Sequence, residues 1–524
     1  MADSRVMTVV GLGPGRWEDL TVAARDTLGA ASLVICRTLR HPTVDALRAW
    51  RPDLRIESFD GLYESMPSFD DLYPEMARRL LARAGELPAG ETLLYAVPGH
   101  PLMGEESVRI LRLAAAEQGV QVDLVAGLSF VETVCAALDL NPLERDLQLI
   151  DATALMTIPG EAVMGALLPT KPALIAQMYN RRLASGVKLA LSEVYPEEWE
   201  VTLVRSGGIP GQEVVRRVAL YELDRDESAD HLTTVYVPPL DPLAATRAPE
   251  GLRYIVMRLR APDGCPWDRE QTHQSLRRYV LEEAYEVAEA IDELDGTPER
   301  AEKLADELGD LLLQVYLHAE VANQEDSFHL GDVYQLVSEK LIRRHPHVFG
   351  DVRVSGAEHV VRNWETIKRA ERAAKGEEVA SESALRGIPK GAPALYQAAE
   401  MSKKAGKVGF RFPHDADAVA KVAEEARELA EAISAGKEAG ATTPTDEQQV
   451  ELGDLLFALA TLSQRLGVAP ETALERANTR FRRRFERMEA LARQRETPLD
   501  ALSPDAWLAL WAEVKAAPRA TSDA

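Results

Sequence analysis

The sequence predicts a multi-domain chain: an α/β domain over the first 240 residues, then two all-α helical-bundle domains. Three observations carry this. Short apolar runs alternate with helical patterns, punctuated by glycine, through the first part of the chain and then stop. From about residue 250 onward, long helical patterns take over with few strand signals. Within that helical half one carboxylate pattern occurs twice: EExxE, a gap of 20 residues in the first copy and 22 in the second, then ExxD.

The elements follow in order. VMTVVGLGPG is an apolar strand that ends in a glycine turn, where Gly11, Gly13 and Gly15 permit a tight bend. ASLVIC, TLLYAV and VQVDLVAG are further strands, with helical segments such as SVRILRLAAAEQ between them. PALIAQM, KLALSEVY and WEVTLVRSG continue the alternation, and HLTTVYVPP supplies the last strand. The α/β domain is therefore assigned to 1–240. PPLDPLAATRAPEG has linker composition, so 241–250 is read as a linker. The first helical domain takes 251–375, GEEVASESALRGIPKGAP (376–393) is a connector, and 394–524 is the second helical domain.

The repeated carboxylates are the chemical signal. In the first copy they are Glu282, Glu283, Glu286, Glu307 and Asp310; in the second, Glu424, Glu425, Glu428, Glu451 and Asp454. Residues three and four apart share a helix face, so each EExxE and each ExxD presents its acids together. Val419, Val422, Ala426, Leu429 and Ile433, then Leu452, Leu455, Leu456 and Leu459, supply an apolar packing stripe. AGKEAGATTPTDEQQ between them is rich in turn formers, which predicts two antiparallel helices. Face to face, they bring like charges together, at a cost that a cation or protons must offset. An all-oxygen donor set favours Mg²⁺ or Mn²⁺ over zinc, and such sites serve phosphate chemistry. A single EExxE would read as a solvated acidic face. Two full copies at matched spacing do not, because solvent exposure demands no such repetition.

Composition bounds the rest. The chain has 524 residues, 46% of them apolar, enough for sizeable cores in several domains. Its net charge of −24 argues against a stable nucleic-acid or anionic-membrane binder. Cys36, Cys135 and Cys265 are scattered without a CxxC, which suits a reducing, cytoplasmic setting. MADSRVMTVV runs directly into the first strand rather than forming a signal peptide, and no apolar run reaches membrane-spanning length.

CPWDREQTHQSLRRYVLEEAYEV (Cys265 to Val287), DELGDLLLQV, RRHPHVFGD and NWETIK resemble the MazG family of nucleoside triphosphate pyrophosphohydrolases. So do KVGFRFP, EEARELAEAI, ELGDLLFAL, NTRFRRRFERME and LWAEVK of the second copy; together the resemblance spans about 250 to 518. It implies an all-α fold, Mg²⁺ dependence, a homodimer, and hydrolysis of a nucleoside triphosphate to the monophosphate and pyrophosphate. It implies that the ten carboxylates bind metal, those of the second copy also serving catalysis. Arg480 and Arg484, four apart and beside Asn478, would meet phosphates. Trp511 and Lys515, one turn apart, would hold the nucleotide, and Trp364 with Lys368 repeat that pair in the first copy. In the first copy Lys340 and Arg344 stand where Arg480 and Arg484 do, but HPHVF breaks the helix with a proline and Ser338 replaces the asparagine. The second copy is thus expected to be the active one.

VVGLGPGRWEDLTVAARDTLGAASLVI, YAVPGHPLMGEESVRIL and VAGLSFVETVCAALDL resemble the tetrapyrrole methylase family over about 5 to 235. The resemblance implies a two-lobed fold binding S-adenosylmethionine in the cleft, at Gly11, Gly13, Gly15, Pro98, Gly99, His100, Leu128 and Ser129. Where the family usually has Gly-Asp-Pro, this chain has Gly99-His100-Pro101. The alternative from another class is a methyltransferase whose helical half serves dimerisation or nucleotide sensing.

Overall fold

Five parallel strands, β1 (Val6–Gly11), β2 (Leu33–Cys36), β3 (Arg55–Ser58), β4 (Leu93–Val97) and β5 (Gln121–Val125), form the first sheet in the order β3-β2-β4-β1-β5. The computed structural model describes residues 6–66, 68–88, 91–157, 166–225, 230, 232–374, 383–438, 443–495, 497 and 502–516. Apolar runs make the central strands because both faces of a parallel sheet are covered. One face packs Met7, Val9 and Tyr95 on Met76 and Leu80; the other packs Val10, Val34 and Ala96 on Leu28 and Leu47.

A second sheet completes the domain: β6 (Gln148–Asp151), β7 (Ala173–Ala176), β8 (Glu200–Arg205), β9 (Val214–Ala219) and β10 (Thr233–Val237), ordered β6-β7-β10-β8-β9. Only β6 and β7 pair in parallel. Its core joins Ile175, Val187, Leu191, Val201 and Val235. Leu240, Ala245 and Ala248, from the stretch with linker composition, are buried in this same core. Sequence patterning anticipates the central strands and the edge strand β5, and misses β3, β6 and β9. All three lie at sheet edges, where one side faces no partner and the apolar run lapses, as in RIES and VVRRVA.

The chain divides into two compact units, Met1–Ser338 and Glu339–Ala524. In the first, the helices His273–Asp292 and Pro298–Gln324 pack together, and Leu276, Tyr316, Leu317 and Val321 form a core with Val256 of the helix Pro249–Leu259. In the second, the helices Asp415–Glu438 and Asp446–Arg465 pack along one another. Ala394–Lys407 lies against the latter, and Pro470–Gln494 carries Pro504–Ala516. The predicted proline break is present: one helix ends at Arg344 and Pro346 opens the next.

The predicted packing stripe needs correction. Val419, Ile433, Leu452, Leu456 and Leu459 are exposed, whereas Ala418, Glu425 and Ala432 are buried. The last three recur at seven-residue spacing, so small side chains let the helices approach and draw a carboxylate inside. Of the connector, 375–382 lies outside the described residues, as does 439–442 of the turn between the helices.

Candidate functional site

The EExxE helix of the second copy (Asp415–Glu438) and its ExxD helix (Asp446–Arg465) bring together Glu425, Glu451 and Asp454, one oxygen from each lying within 4.8 Å of the others. Glu425 is only 6% exposed. Lys421, one turn earlier, contacts it at 2.8 Å and Glu424 at 2.9 Å. Those two hydrogen bonds raise the affinity of the Lys421 amine for its proton. Glu428 is held above the usual carboxylate range by desolvation and then by the Glu425 and Glu424 charges. The tight set is thus three acids rather than five, with Glu424 turned to Lys421 and Glu428 a charged neighbour.

The ExxD helix is fixed at its start by a capping box, in which the Thr445 hydroxyl accepts from the Gln448 amide and the Gln448 side chain accepts from Thr445. Gln448 Nε2 also donates to the Ala432 carbonyl at 3.2 Å, tying the two helices together.

A cavity of about 1160 Å³ adjoins the acids and has Lys421, Glu425 and Asp454 in its wall. The rest of the wall includes Lys403, Lys407, Arg411, Phe412 and Phe457. Phe410, also on the wall, is 81% exposed and follows Gly409, whose φ of +94° turns the chain there. KVGFRFP thus adds phenylalanine rings and cations that the sequence reading left out of the site. The visible signal was a glycine between apolar residues with flanking cations.

Asn478, Arg480, Arg484, Trp511 and Lys515 do not line this cavity. Arg484 is half-buried on its helix, whereas Asn478, Arg480 and Lys515 are exposed. Trp511 is half-buried, its ring 5.4 Å from that of Phe481, beside the cluster of Met488, Leu510 and Val514. In the first copy's pair, Lys368 Nζ stands 4.5 Å over the Trp364 ring, and Arg344 is 5.9 Å from the same ring. Glu371 takes Arg344 at 2.7 Å and Arg343 at 2.7 Å, and those hydrogen bonds hold its carboxyl down at about 2.

The first copy gathers a different trio: Glu283, Glu286 and Glu307 offer oxygens within 4.8 Å of one another. Desolvation first, then Asp310 and Glu286, raise Glu283; desolvation and Glu286 raise Glu307. Glu282 stands outside this trio, and Asp310 contributes as a charged neighbour.

Between the two lobes of the α/β domain lies a cleft of about 480 Å³. Pro98, Gly99, His100 and Ser129 line it, whereas Gly11, Gly13, Gly15 and Leu128 do not. Gly11 and Gly13 serve the backbone packing of the turn. A Cβ on Gly11 would come within 2.5 Å of the Gly99 carbonyl oxygen, and Gly13 bridges Gly99 through paired hydrogen bonds. The His100 Nδ1 accepts from the Leu102 amide at 3.1 Å, the bond a carboxylate two residues back would make in such a turn. Histidine therefore keeps the local turn where the family usually has aspartate. Ser129 begins the helix Phe130–Leu138 with a capping box to Glu132.

Comparison with known proteins agrees with this layout. The model of the MazG nucleotide pyrophosphohydrolase domain matches residues 271–349 and 415–488, and that of the tetrapyrrole (corrin/porphyrin) methylases matches 6–224. The uncharacterised protein YabN of Bacillus subtilis is 38% identical over 97% of this chain and 98% of its own. The nucleoside triphosphate pyrophosphohydrolase/pyrophosphatase MazG of Thermotoga maritima is 38% identical over 51% of this chain and 95% of its own. The nucleoside triphosphate pyrophosphohydrolase of Escherichia coli K12 is 39% identical over 50% and 94%.

Proposed function

The chain belongs to the fusions that join a tetrapyrrole methylase domain to MazG nucleotide pyrophosphohydrolase domains, and from that premise we propose that it hydrolyses nucleoside triphosphates to monophosphate and pyrophosphate at its second helical copy. One observation carries this reading: buried Glu425 shares a space with Glu451 and Asp454 on the wall of a ligand-sized cavity.

The donor set fits a hard divalent cation. Three carboxylate oxygens already lie within 4.8 Å, and Lys421 pairs with buried Glu425. Glu425, Glu451 and Asp454 would hold Mg²⁺ or Mn²⁺. When bound, the ion offsets triphosphate charge and makes a water more acidic. The protein's own groups supply the rest. Lys421 keeps Glu424 and Glu425 oriented. Glu428, a charged neighbour of Glu425 and Glu451, would accept a proton from the attacking water at a carboxylate oxygen. Lys403, Lys407 and Arg411 face the cavity as counter-charges for phosphate, and Phe410 and Phe457 offer rings to a base. Arg480 and Arg484, with Trp511 and Lys515, extend this set, as the family resemblance implies.

The exposed apolar side chains Val419, Leu452, Leu456 and Leu459 support assembly as a homodimer through the helical domains. The interlobe cleft, with Gly99, His100 and Ser129 in its wall, supports S-adenosylmethionine binding and a second, methyl-transferring activity.

The test is hydrolysis by the full chain with and without Mg²⁺, for wild type, Glu425→Gln and Glu283→Gln. Metal-dependent turnover, lost in Glu425→Gln and largely kept in Glu283→Gln, is expected. Equal turnover by wild type and Glu425→Gln would refute the assignment.

A further inference from the structure

Arg37 stands in the wall of the interlobe cleft at the end of β2, and its surroundings are built around it. Its backbone amide donates to the Ala96 carbonyl at 2.8 Å, which fixes where the side chain starts. The following turn is pinned by Asp60, which accepts from Thr38 Oγ1 at 2.6 Å, from the Leu39 amide at 2.8 Å and from Ser58 Oγ at 2.9 Å. Across from Arg37, Glu105 is buried, its side chain 3% exposed, and approaches Arg37 Nε at 3.3 Å. Glu105 is itself held by Ser107 Oγ at 2.7 Å, which pairs with Tyr95.

This arrangement leaves a deficit. A guanidinium carries five N–H donors in a planar fork. The Arg37 side chain is 21% exposed, and Nε is buried with no hydrogen-bond acceptor. Its contact with Glu105 lies outside hydrogen-bond geometry, so Nε is left without an acceptor while the guanidinium forms part of the cleft wall. Unmet donors in a partly buried site cost free energy that water meets poorly and an oxyanion meets well. Tyr63 lines the same part of the cleft and offers a further hydroxyl donor.

We infer that the ligand of this cleft carries an oxyanion, a carboxylate or a phosphate, which the guanidinium fork of Arg37 receives. Glu105 and Asp60 are positioning residues: one aims the fork and the other fixes the turn that carries it. The cleft walls also hold Asp60, Glu64 and Glu105 against Arg37 and Arg40, with Glu64 3.8 Å from Arg40. That balance suits one anionic group and disfavours a ligand bearing many. The inference stands on the cleft alone and is independent of hydrolysis in the helical half.

The experiment uses the full chain, stripped of divalent metal and saturated with S-adenosylhomocysteine. Inorganic phosphate and, separately, acetate are titrated by calorimetry, and crystals soaked in each locate the ion. Wild type should show density within hydrogen-bond distance of the Arg37 guanidinium. Arg37→Lys keeps the charge opposite Glu105 but loses the fork, and should bind the preferred ion at least about tenfold more weakly. Tighter phosphate identifies a phosphorylated ligand, and tighter acetate a carboxylate. Affinity for S-adenosylhomocysteine should stay within about twofold in Arg37→Lys. A tenfold loss there would make Arg37 the holder of the cofactor's own carboxylate and overturn the inference. So would absence of density at Arg37, or equal ion binding by wild type and Arg37→Lys.

Discussion

At the residue scale the decisive group is Glu425. A buried carboxylate is expensive unless its charge is met, and here one lysine is shared between it and Glu424. Mg²⁺ should therefore stabilise the native state by binding it preferentially, raising the unfolding midpoint of wild type but not that of Glu425→Gln. Differential scanning calorimetry reads this without any turnover. Asp454→Ala should lower hydrolysis by more than about 100-fold, beyond the loss typical of outer-shell partners of a metal. Asp310→Ala should cost far less, and the opposite ranking would move the active site to the first copy. A second residue-scale device is the pair His273 and His318, whose Nδ1 atoms are 2.7 Å apart with the rings stacked. Burial first, then the neighbouring His273, lowers the proton affinity of His318 in the fold. A histidine lowered in the fold costs no stability above its unfolded value of about 6.5, and stability is lost as pH falls from there through the lower folded value. The unfolding midpoint should drop on acidification from pH 7.5 to 5, and His318→Asn should flatten that slope.

At the element scale, positions of acids follow from how helices begin and how closely backbones approach. Thr445→Ala removes the cap of the ExxD helix and should cost about 1 kcal/mol. Hydrolysis should also fall, because the Gln448 backbone amide loses its acceptor at the start of the helix that carries Glu451 and Asp454. Gly127→Ala places a Cβ 2.3 Å from the Gly99 carbonyl oxygen and should destabilise the α/β domain by about 1–3 kcal/mol. Circular dichroism melts check both. The carboxylate helices and the central strands were legible because period and apolar runs are local signals. The wall of the cavity was not: Lys403 and Lys407 join Asp454 in it through packing of the helix Ala394–Lys407 on the ExxD helix. The glycine turn was legible as a turn, and the packing that Gly11 serves was not. Gly11 needs its bare Cα to admit the Gly99 and Gly127 backbones, and no sequence pattern separates that need from closeness to a ligand.

At the scale of the whole molecule, one chain couples a two-lobed α/β domain to two helical copies that each carry the same five-acid pattern yet cluster it differently. Glu283, Glu286 and Glu307 gather in one, Glu425, Glu451 and Asp454 in the other. Spacing alone predicted equivalence, because it records which acids share a helix face and not which rotamers converge. Among the described residues no helix is long and apolar enough to cross a membrane. The exposed apolar side chains of the helical domains call for a partner, and sedimentation of the full chain should show a dimer that Leu452→Glu together with Leu456→Glu disrupts. The most direct test of the central claim is the identity of the products. The full chain is incubated with each nucleoside triphosphate and Mg²⁺, and the products are resolved by anion-exchange chromatography. Monophosphate and pyrophosphate in equal amounts, absent with Asp454→Ala, are predicted; diphosphate and inorganic phosphate, or no turnover of any triphosphate, would contradict it.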